Sequence, residues 1–564
     1  MTSVKPTPSI HCDVLIVGAG FSGMYGLHKL RQLGLGVKVF EAAGDFGGVW
    51  YWNRYPGARV DSEWPFYQLS IPEVWESYNF SCRFPDHNEI REYFAHVDRV
   101  LDLRKDIYFN SRVNHAEWLA DEGRWLVQTE NGHVASCKYL LLFTGLLQRK
   151  HLPEFPGIQD YQGTINHSVE WPQGLDVSGK RVGVIGAGAT SVQIVQELSK
   201  PAAQLSIFMR RPSLCLPLKN RPITAEENAN WKPYFETLFR EGRKSSGMWE
   251  VTEAEREAYY EHVWEAGSFH FGAGNYRDIW VDLKANWIAY DFWARKTRAR
   301  ITNSEKRDLM APLEPPFPIL TKRSPLEHDY YECLDQENVS IVDLNAAPLK
   351  EFTTNGIRTA DGKVHEFDHI VFATGFDNFT GSICNMGLKS KDGVDMKDVW
   401  GDSIATYLGM LVHGFPNCFL SYSPQSPMAL SNGPTILECQ VDFIVECIAR
   451  LESEGAQSIE ATAQSQEDWK KLINEMSAQT LFPLTTSWWT RSNAAGVKPE
   501  MLTYIAGIGQ YEAQCRETLD GWKGFTVVPG GNKRSLNPTA LQTATEKKDI
   551  AWICFSNSVT NTAA

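Results

Sequence analysis

Two short segments of this chain have the residues and spacing to hold phosphates. Gly18-Ala19-Gly20-Phe21-Ser22-Gly23 follows the apolar run Asp13-Val14-Leu15-Ile16-Val17, and Gly186-Ala187-Gly188-Ala189-Thr190-Ser191 follows Arg181-Val182-Gly183-Val184-Ile185. In such a turn the first glycine permits a tight bend after a buried strand, and the second lets the backbone approach a pyrophosphate. The third position is where the next helix packs on the strand. The helix N-terminus then faces the phosphates with unpaired amides. A chain with two such turns can hold two dinucleotides, one to accept a hydride and one to deliver it.

The residues beyond each turn distinguish the nucleotides. A helix is expected from Met24 to Leu33, then a strand from Val37 to Phe40 that ends in Glu41, whose carboxylate suits an unphosphorylated adenosine ribose. After the second turn a helix from Val192 to Leu198 and a strand from Leu205 to Met209 lead into Arg210-Arg211, which suits the additional phosphate of NADPH. The alternative for the two arginines is a solvated surface pair. Ser191 stands where a third glycine is usual, so its hydroxymethyl group must fit at a close helix–strand contact. Thr190 is placed beside it on the phosphate side.

The elements that must position these turns belong to an α/β protein. At 564 residues the chain exceeds one hydrophobic core, and 43% hydrophobic with 22% charged residues is an ordinary globular composition. A net charge of -13 argues against nucleic acid or an anionic membrane as main partner. The cysteines are scattered singly, which fits free thiols in a reducing compartment and no metal site. No stretch sustains the roughly 18 apolar residues of a membrane span. The polar start, Met1 to Ile10, does not read as a signal-peptide core, so the expected location is cytoplasmic.

Further segments carry a family resemblance. Asp45-Phe46-Gly47-Gly48 and the strand and turn Val371-Phe372-Ala373-Thr374-Gly375-Phe376-Asp377 resemble the glycine pair and the ATG turn of flavoprotein monooxygenases. The run from Gly47 to Asp61, Thr321-Lys322-Arg323 with Tyr330-Tyr331, and Ser487-Trp488-Trp489 with Lys498-Pro499 narrow this. Together with Tyr161, Gly163, His167, Ser168, Trp171 and Pro172, they resemble type I Baeyer–Villiger monooxygenases, from about residue 12 to 530. The usual fingerprint has Phe and Thr where this chain has Tyr161 and Ser168, substitutions that keep the ring and the hydroxyl.

The resemblance implies two Rossmann-like domains, one for FAD and one for NADPH, and oxidation of a ketone by O2 to an ester or lactone through a C4a-peroxyflavin. It makes Arg323 the catalytic cation and Asp61 its acidic partner. It puts Gly18, Gly20, Gly23, Glu41, Gly48, Val49, Trp50, Asp61 and Tyr67 on the flavin side. Gly186, Gly188, Thr190, Ser191, Arg210, Arg211, Lys322 and Trp488 fall on the nicotinamide side, with Lys322 reaching the 2′-phosphate. His167 invites a general-base reading because imidazole titrates near neutrality. The preferred reading makes it a connector that couples the two domains, with Gly163 and Trp171. Trp488 resembles a residue on a mobile loop, about 485–500, that closes over the nicotinamide; core packing is its alternative. In that loop Arg491-Ser492-Asn493 replaces the usual Gly-Ala-Asn, and a residue is added before Lys498.

The domains expected are 1–146 for FAD, 147–376 for NADPH, 377–545 returning to the FAD domain, and a tail at 546–564. Crossings fall near residue 153 and at Asp377-Asn378. A helical insertion at about 219–312 carries Trp231, Trp249, Trp264, Trp280, Trp287 and Trp293, expected mainly as core. Two other functions share the nucleotide turns. A flavin monooxygenase acting on sulfur or nitrogen would not need Arg323 beside Asp61, and a flavoprotein reductase or electron-transfer protein would need neither the fingerprint nor Trp488.

Overall fold

The computed structural model describes residues 6–232, 246–377, 379–428, 432–492 and 498–537. Two sheets organise it. In the first, Ile107–Tyr108, Val37–Phe40, Ile10–Val17 and Val134–Leu142 run parallel, and the hairpin Val113–Leu119 and Arg124–Thr129 extends the edge. Strand Cys418–Leu420, from far downstream, pairs in parallel with the end of Val134–Leu142, Leu140 opposite Cys418. The first sheet is therefore completed by the C-terminal part of the chain.

Alternation along Ile10–Val17 explains its burial on both faces. Val14 and Ile16 enter a cluster with Met24, Leu27, Ile444 and Ile448, under helices Phe21–Gln32 and Gly433–Glu454. Leu15 and Val17 face the opposite way, onto Leu140, Trp125 and Phe415. A strand covered twice reads as a continuous apolar run, which is why no polar alternation marks it in the sequence.

The second sheet is wholly parallel, in the order Val339–Asp343, Gln204–Met209, Arg181–Ile185, His369–Phe372, Thr164–His167. Both nucleotide helices begin earlier than the sequence suggests, at Phe21 and at Ala189, because helical turns start directly after the second glycine of each motif.

The insertion is helical, with Glu253–Ala266 and Leu283–Arg298 its longest described helices. Its aromatics divide. Trp264 and Trp293 join the core of the second sheet with Tyr260, Tyr290 and Phe292, whereas Trp231, Trp249 and Trp287 are 40%, 49% and 51% exposed. The expectation of a mainly core role thus fails for these three. Trp249 gains a polar partner instead, its Nε1 donating to Asp282 at 3.0 Å while Lys284 lies over its ring. Among the described residues no helix is long and apolar enough to cross a membrane. The tail beyond 537, Asn378 and part of the 485–500 loop lie outside the described residues.

Candidate active site

At the first glycine turn the first and third glycines are sterically committed. Gly18 has φ +110°, and a Cβ there would stand 2.4 Å from the Phe143 carbonyl oxygen; one on Gly23 would stand 1.9 Å from that of Gly18. No L-residue with a side chain fits either place. Glu41 is buried, and its two carboxylate oxygens accept the Ala19 and Ala43 amides, each at 2.6 Å. Burial pushes its pKa up and these two N–H donors oppose the rise. The carboxylate therefore braces the turn itself, with lone pairs left over for ribose hydroxyls. Gly20, the N-cap of helix Phe21–Gln32, makes no side-chain cap and lies back to back with Gly48, a Cβ on Gly48 reaching 3.2 Å from the Gly20 Cα. Two backbones bare of side chains meet an uncapped helix N-terminus, a cradle that fits the pyrophosphate of a dinucleotide.

The second turn is more open. Gly186 has φ +119° and is held against the Ala373 carbonyl, where a Cβ would lie at 2.3 Å. A Cβ on Gly188 would meet no atom within 4 Å, and this N-cap too provides no side-chain bond to helix Ala189–Leu198. Ser191 is fully buried, and its hydroxyl has no hydrogen-bond partner among the described residues. Beyond the next strand Arg210 and Arg211 are exposed, close enough to Lys322 to act on its charge. Burial, with Arg211 and Arg210, brings the Lys322 ammonium down to about 8, and the side chain lies over the Phe317 ring at 4.4 Å. Among the described residues no carboxylate pairs with any of these three cations. An unpaired triad of this kind fits a phosphate dianion.

Between the turns, the segment from Gly47 to Tyr67 crosses onto the second nucleotide helix. Tyr55 donates to Gln193 Oε1 at 2.8 Å, Gln193 Nε2 donates to the Arg59 carbonyl at 2.9 Å, and Thr190 lies beside the Tyr55 hydroxyl. Gly57, with φ +82°, lets the chain pass against the Gln193 carbonyl. This crossing delivers Asp61 to Arg323. Arg323 Nε meets Asp61 Oδ2 at 2.7 Å and Nη2 meets Oδ1 at 2.8 Å, a two-pronged pair between residues 262 positions apart. The guanidinium also lies over the Phe269 ring at 4.6 Å. Burial works against the Arg323 charge, and Asp61 more than restores it, leaving the group more basic than a free arginine. Tyr67 and Tyr422 are near enough to feel both charges, and Trp50 Nε1 donates to the Tyr67 hydroxyl at 2.9 Å.

Within the Tyr161–Pro172 segment, Thr164–His167 is the edge strand of the second sheet. Tyr161 folds over Gly163, where a Cβ would lie 2.2 Å from its hydroxyl, and donates to the Phe367 carbonyl at 2.9 Å. His167 is 2% exposed and has both ring nitrogens engaged: Nδ1 accepts from the Val169 amide at 3.2 Å, so Nε2 carries the proton and donates to the Gly375 carbonyl at 3.0 Å. Burial lowers its pKa. A ring so used has no lone pair for a substrate proton. The same Gly375 carbonyl accepts from the His151 amide at 2.9 Å, and the Asp377 amide donates to the Arg149 carbonyl at 2.8 Å, so residues 149–151 and 375–377 pass side by side between the sheets with His167 pinned to them. Trp171 packs edge-on to His369 on the neighbouring strand.

A flavin-binding monooxygenase-like family profile matches residues 11–220. Cyclopentanone 1,2-monooxygenase of a Comamonas strain is 40% identical, with 92% of this chain and 96% of that protein covered. A Baeyer–Villiger monooxygenase of Pseudooceanicola batsensis is 36% identical over 88% of this chain and 93% of its own length. The chain belongs to the Baeyer–Villiger monooxygenase family. Phenazine N-monooxygenase PhzNO1 of Lysobacter antibioticus is 37% identical over 92% of this chain and 97% of that protein. Among solved structures, cyclohexanone monooxygenase from Rhodococcus sp. Phi1 bound to NADP+ superposes with TM-score 0.88 at 32% identity, covering 93% of this chain and 100% of that one.

In this Baeyer–Villiger monooxygenase the described part of the 485–500 loop shows what holds Arg491 and Ser492. Arg491, with φ +54°, pairs with Glu500 at 2.9 Å, and Glu500 also accepts from Ser403 at 2.6 Å and from the Ile404 amide at 2.9 Å. Arg491 thus ties the middle of the loop to its far end. Ser492 Oγ accepts from the Ser487 amide at 2.9 Å. Trp488 is half-buried against Phe379 and Trp489, a packing position at the loop base. Asn493 and the added residue, within 494–497, lie outside the described residues. Sequence reasoning missed Phe269, Gln193 and Thr485, whose hydroxyl meets that of Thr321 at 2.5 Å. None carries a local signal, because each acts through a contact distant in the chain.

Proposed function

We propose that this chain oxidises a ketone to an ester or lactone with O2, FAD and NADPH. The observation that carries the reading is the two-pronged Arg323–Asp61 pair, seated on Phe269 next to the unpaired Arg210, Arg211 and Lys322 triad. Bound FAD, reduced by the nicotinamide, supplies the activated oxygen. The protein's own contribution is positional and electrostatic. Asp61 fixes the plane of the Arg323 guanidinium, so the same cation stands ready as the ketone oxygen gathers negative charge. A preorganised charge of this kind is worth most where water is excluded. Lys322, with Arg210 and Arg211, holds the 2′-phosphate and thereby selects NADPH over NADH. His167 keeps the crossing between the two nucleotide units in register, and the FAD unit takes in both 1–146 and the chain after 377.

The Lysobacter antibioticus relative, a phenazine N-monooxygenase, favours a second reading, heteroatom oxidation at nitrogen by the same cofactors. Incubating the yellow holoenzyme with NADPH, O2 and matched panels of cyclic ketones, thioethers and aromatic N-heterocycles separates the two. Esters or lactones from ketones are the expected products. Sulfoxides or N-oxides with no ketone product favour the second reading, and hydrogen peroxide alone with every substrate contradicts both.

A further inference from the structure

The catalytic arginine's own turn is held from outside. Pro318-Ile319-Leu320-Thr321 is a turn closed by the Thr321 amide on the Pro318 carbonyl, and Leu320 within it has φ +68°. That conformation ordinarily falls to Gly or Asn, because in other residues the Cβ crowds the following carbonyl. Lys322 and Arg323 follow directly. The Thr321 hydroxyl closes the turn on the Pro318 carbonyl and meets that of Thr485, and the strained part is gripped by Asn286, on helix Leu283–Arg298 of the insertion and fully buried. Its Oδ1 accepts from the Ile319 amide at 2.8 Å, and its Nδ2 donates to the Ile319 carbonyl at 3.0 Å and to the Ile279 carbonyl at 2.9 Å. Both polar groups of the residue before the strained position are thus met by one amide, which can supply a donor and an acceptor in one plane.

We infer that Asn286 is a positioning residue for the oxygenation step: it locks the Leu320 turn so that Arg323 faces the reacting atoms and Lys322 faces the dinucleotide. The inference rests on the assignment of Arg323 above. It also gives the insertion a role beyond packing, since its central helix registers the active arginine against the core. Truncating Asn286 frees the Leu320 turn to relax toward an ordinary conformation, moving Arg323 while Asp61 stays on its own segment. A small displacement of an aligned group costs up to about a hundredfold in rate.

The test compares Asn286→Ala and Asn286→Asp with Tyr290→Phe. Tyr290 lies on the same helix, is equally buried and donates to the Pro312 carbonyl at 2.7 Å, so its variant loses one buried hydrogen bond away from the turn. Each holoenzyme is assayed well below its own Tm for NADPH consumed, ester formed and peroxide released. Asn286→Ala is expected to lower the ester formed per NADPH by about tenfold or more, diverting turnover to peroxide and weakening NADP+ binding. Asn286→Asp, which keeps the acceptor for the Ile319 amide, falls between Ala and wild type and serves if the Ala variant does not fold. Tyr290→Phe loses thermal stability but keeps its product ratio. If the Asn286 variants match Tyr290→Phe in product per NADPH while Arg323→Ala loses product, the positioning role is wrong. If Arg323→Ala keeps its product, the fault lies with the functional reading instead.

Discussion

The two glycine-rich turns share one sequence pattern and differ in how much freedom the fold leaves them. The first is tightly held at its base: Gly18 lies against Phe143, Gly23 against Gly18, and Glu41 is buried between two amides. The second accepts Ser191 where the first demands glycine, leaves Gly188 facing open space, and ends on cations with no carboxylate partner among the described residues. A closed, braced cradle suits a group that stays bound, and an open one with unpaired charge suits a group that comes and goes with each turnover.

The largest effect expected from this contrast is at Gly23. Gly23→Ala drives a methyl group into the Gly18 carbonyl, at a cost beyond the about 1–3 kcal/mol of ordinary overpacking. Purified protein is expected to have lost its flavin absorbance; a variant still fully loaded with flavin breaks the contrast at its stronger end. The next effect is electrostatic and concerns Lys322. Its charged form is disfavoured in the free enzyme, so the cation is present below about pH 8 and is lost above it. NADP+ affinity is therefore expected to fall by about tenfold as pH rises through that value, as befits loss of a charged hydrogen bond. NAD+ affinity stays level, and Lys322→Ala flattens the NADP+ curve; calorimetric titration across pH 7 to about 9.5 reads all three. The smallest effect is at Ser191. Replacing a buried hydroxyl that has no partner by Ser191→Ala is expected to raise thermal stability by about 1 kcal/mol and leave NADPH oxidation unchanged. A loss of stability means that the hydroxyl does have a partner.

The turns themselves are legible in the sequence because their chemistry is local: strand, glycine spacing and the charge at the end of the next strand lie within some thirty residues. Helix starts are less so. Phe21 and Ala189 open their helices ahead of the expected Met24 and Val192, since a glycine N-cap gives no Ser, Thr or Asp signal to mark them. The Asp61–Arg323 pair is another matter. Asp61 and Arg323 each sit in an undistinguished local setting, and only the family resemblance couples them. What holds them is less legible still. Gln193 bridging Tyr55 and Arg59, Phe269 under the guanidinium and Asn286 on Ile319 are all contacts between elements far apart in the chain, made by residue types that are common in any helix or loop. The insertion's tryptophans show the converse: helical aromatics suggest core, but Trp231, Trp249 and Trp287 stand at the surface, the first against Trp64 and the second under Lys284.

On the proposed function, Arg323, fixed by Asp61, makes oxygen transfer productive without being needed for hydride transfer. Arg323→Ala holoenzyme, given NADPH, O2 and a ketone that the wild type converts, reports on it directly. NADPH oxidation is expected to stay of the same order as wild type, with ester or lactone reduced by on the order of a hundredfold or more and peroxide in its place. An unchanged yield of ester per NADPH would contradict it.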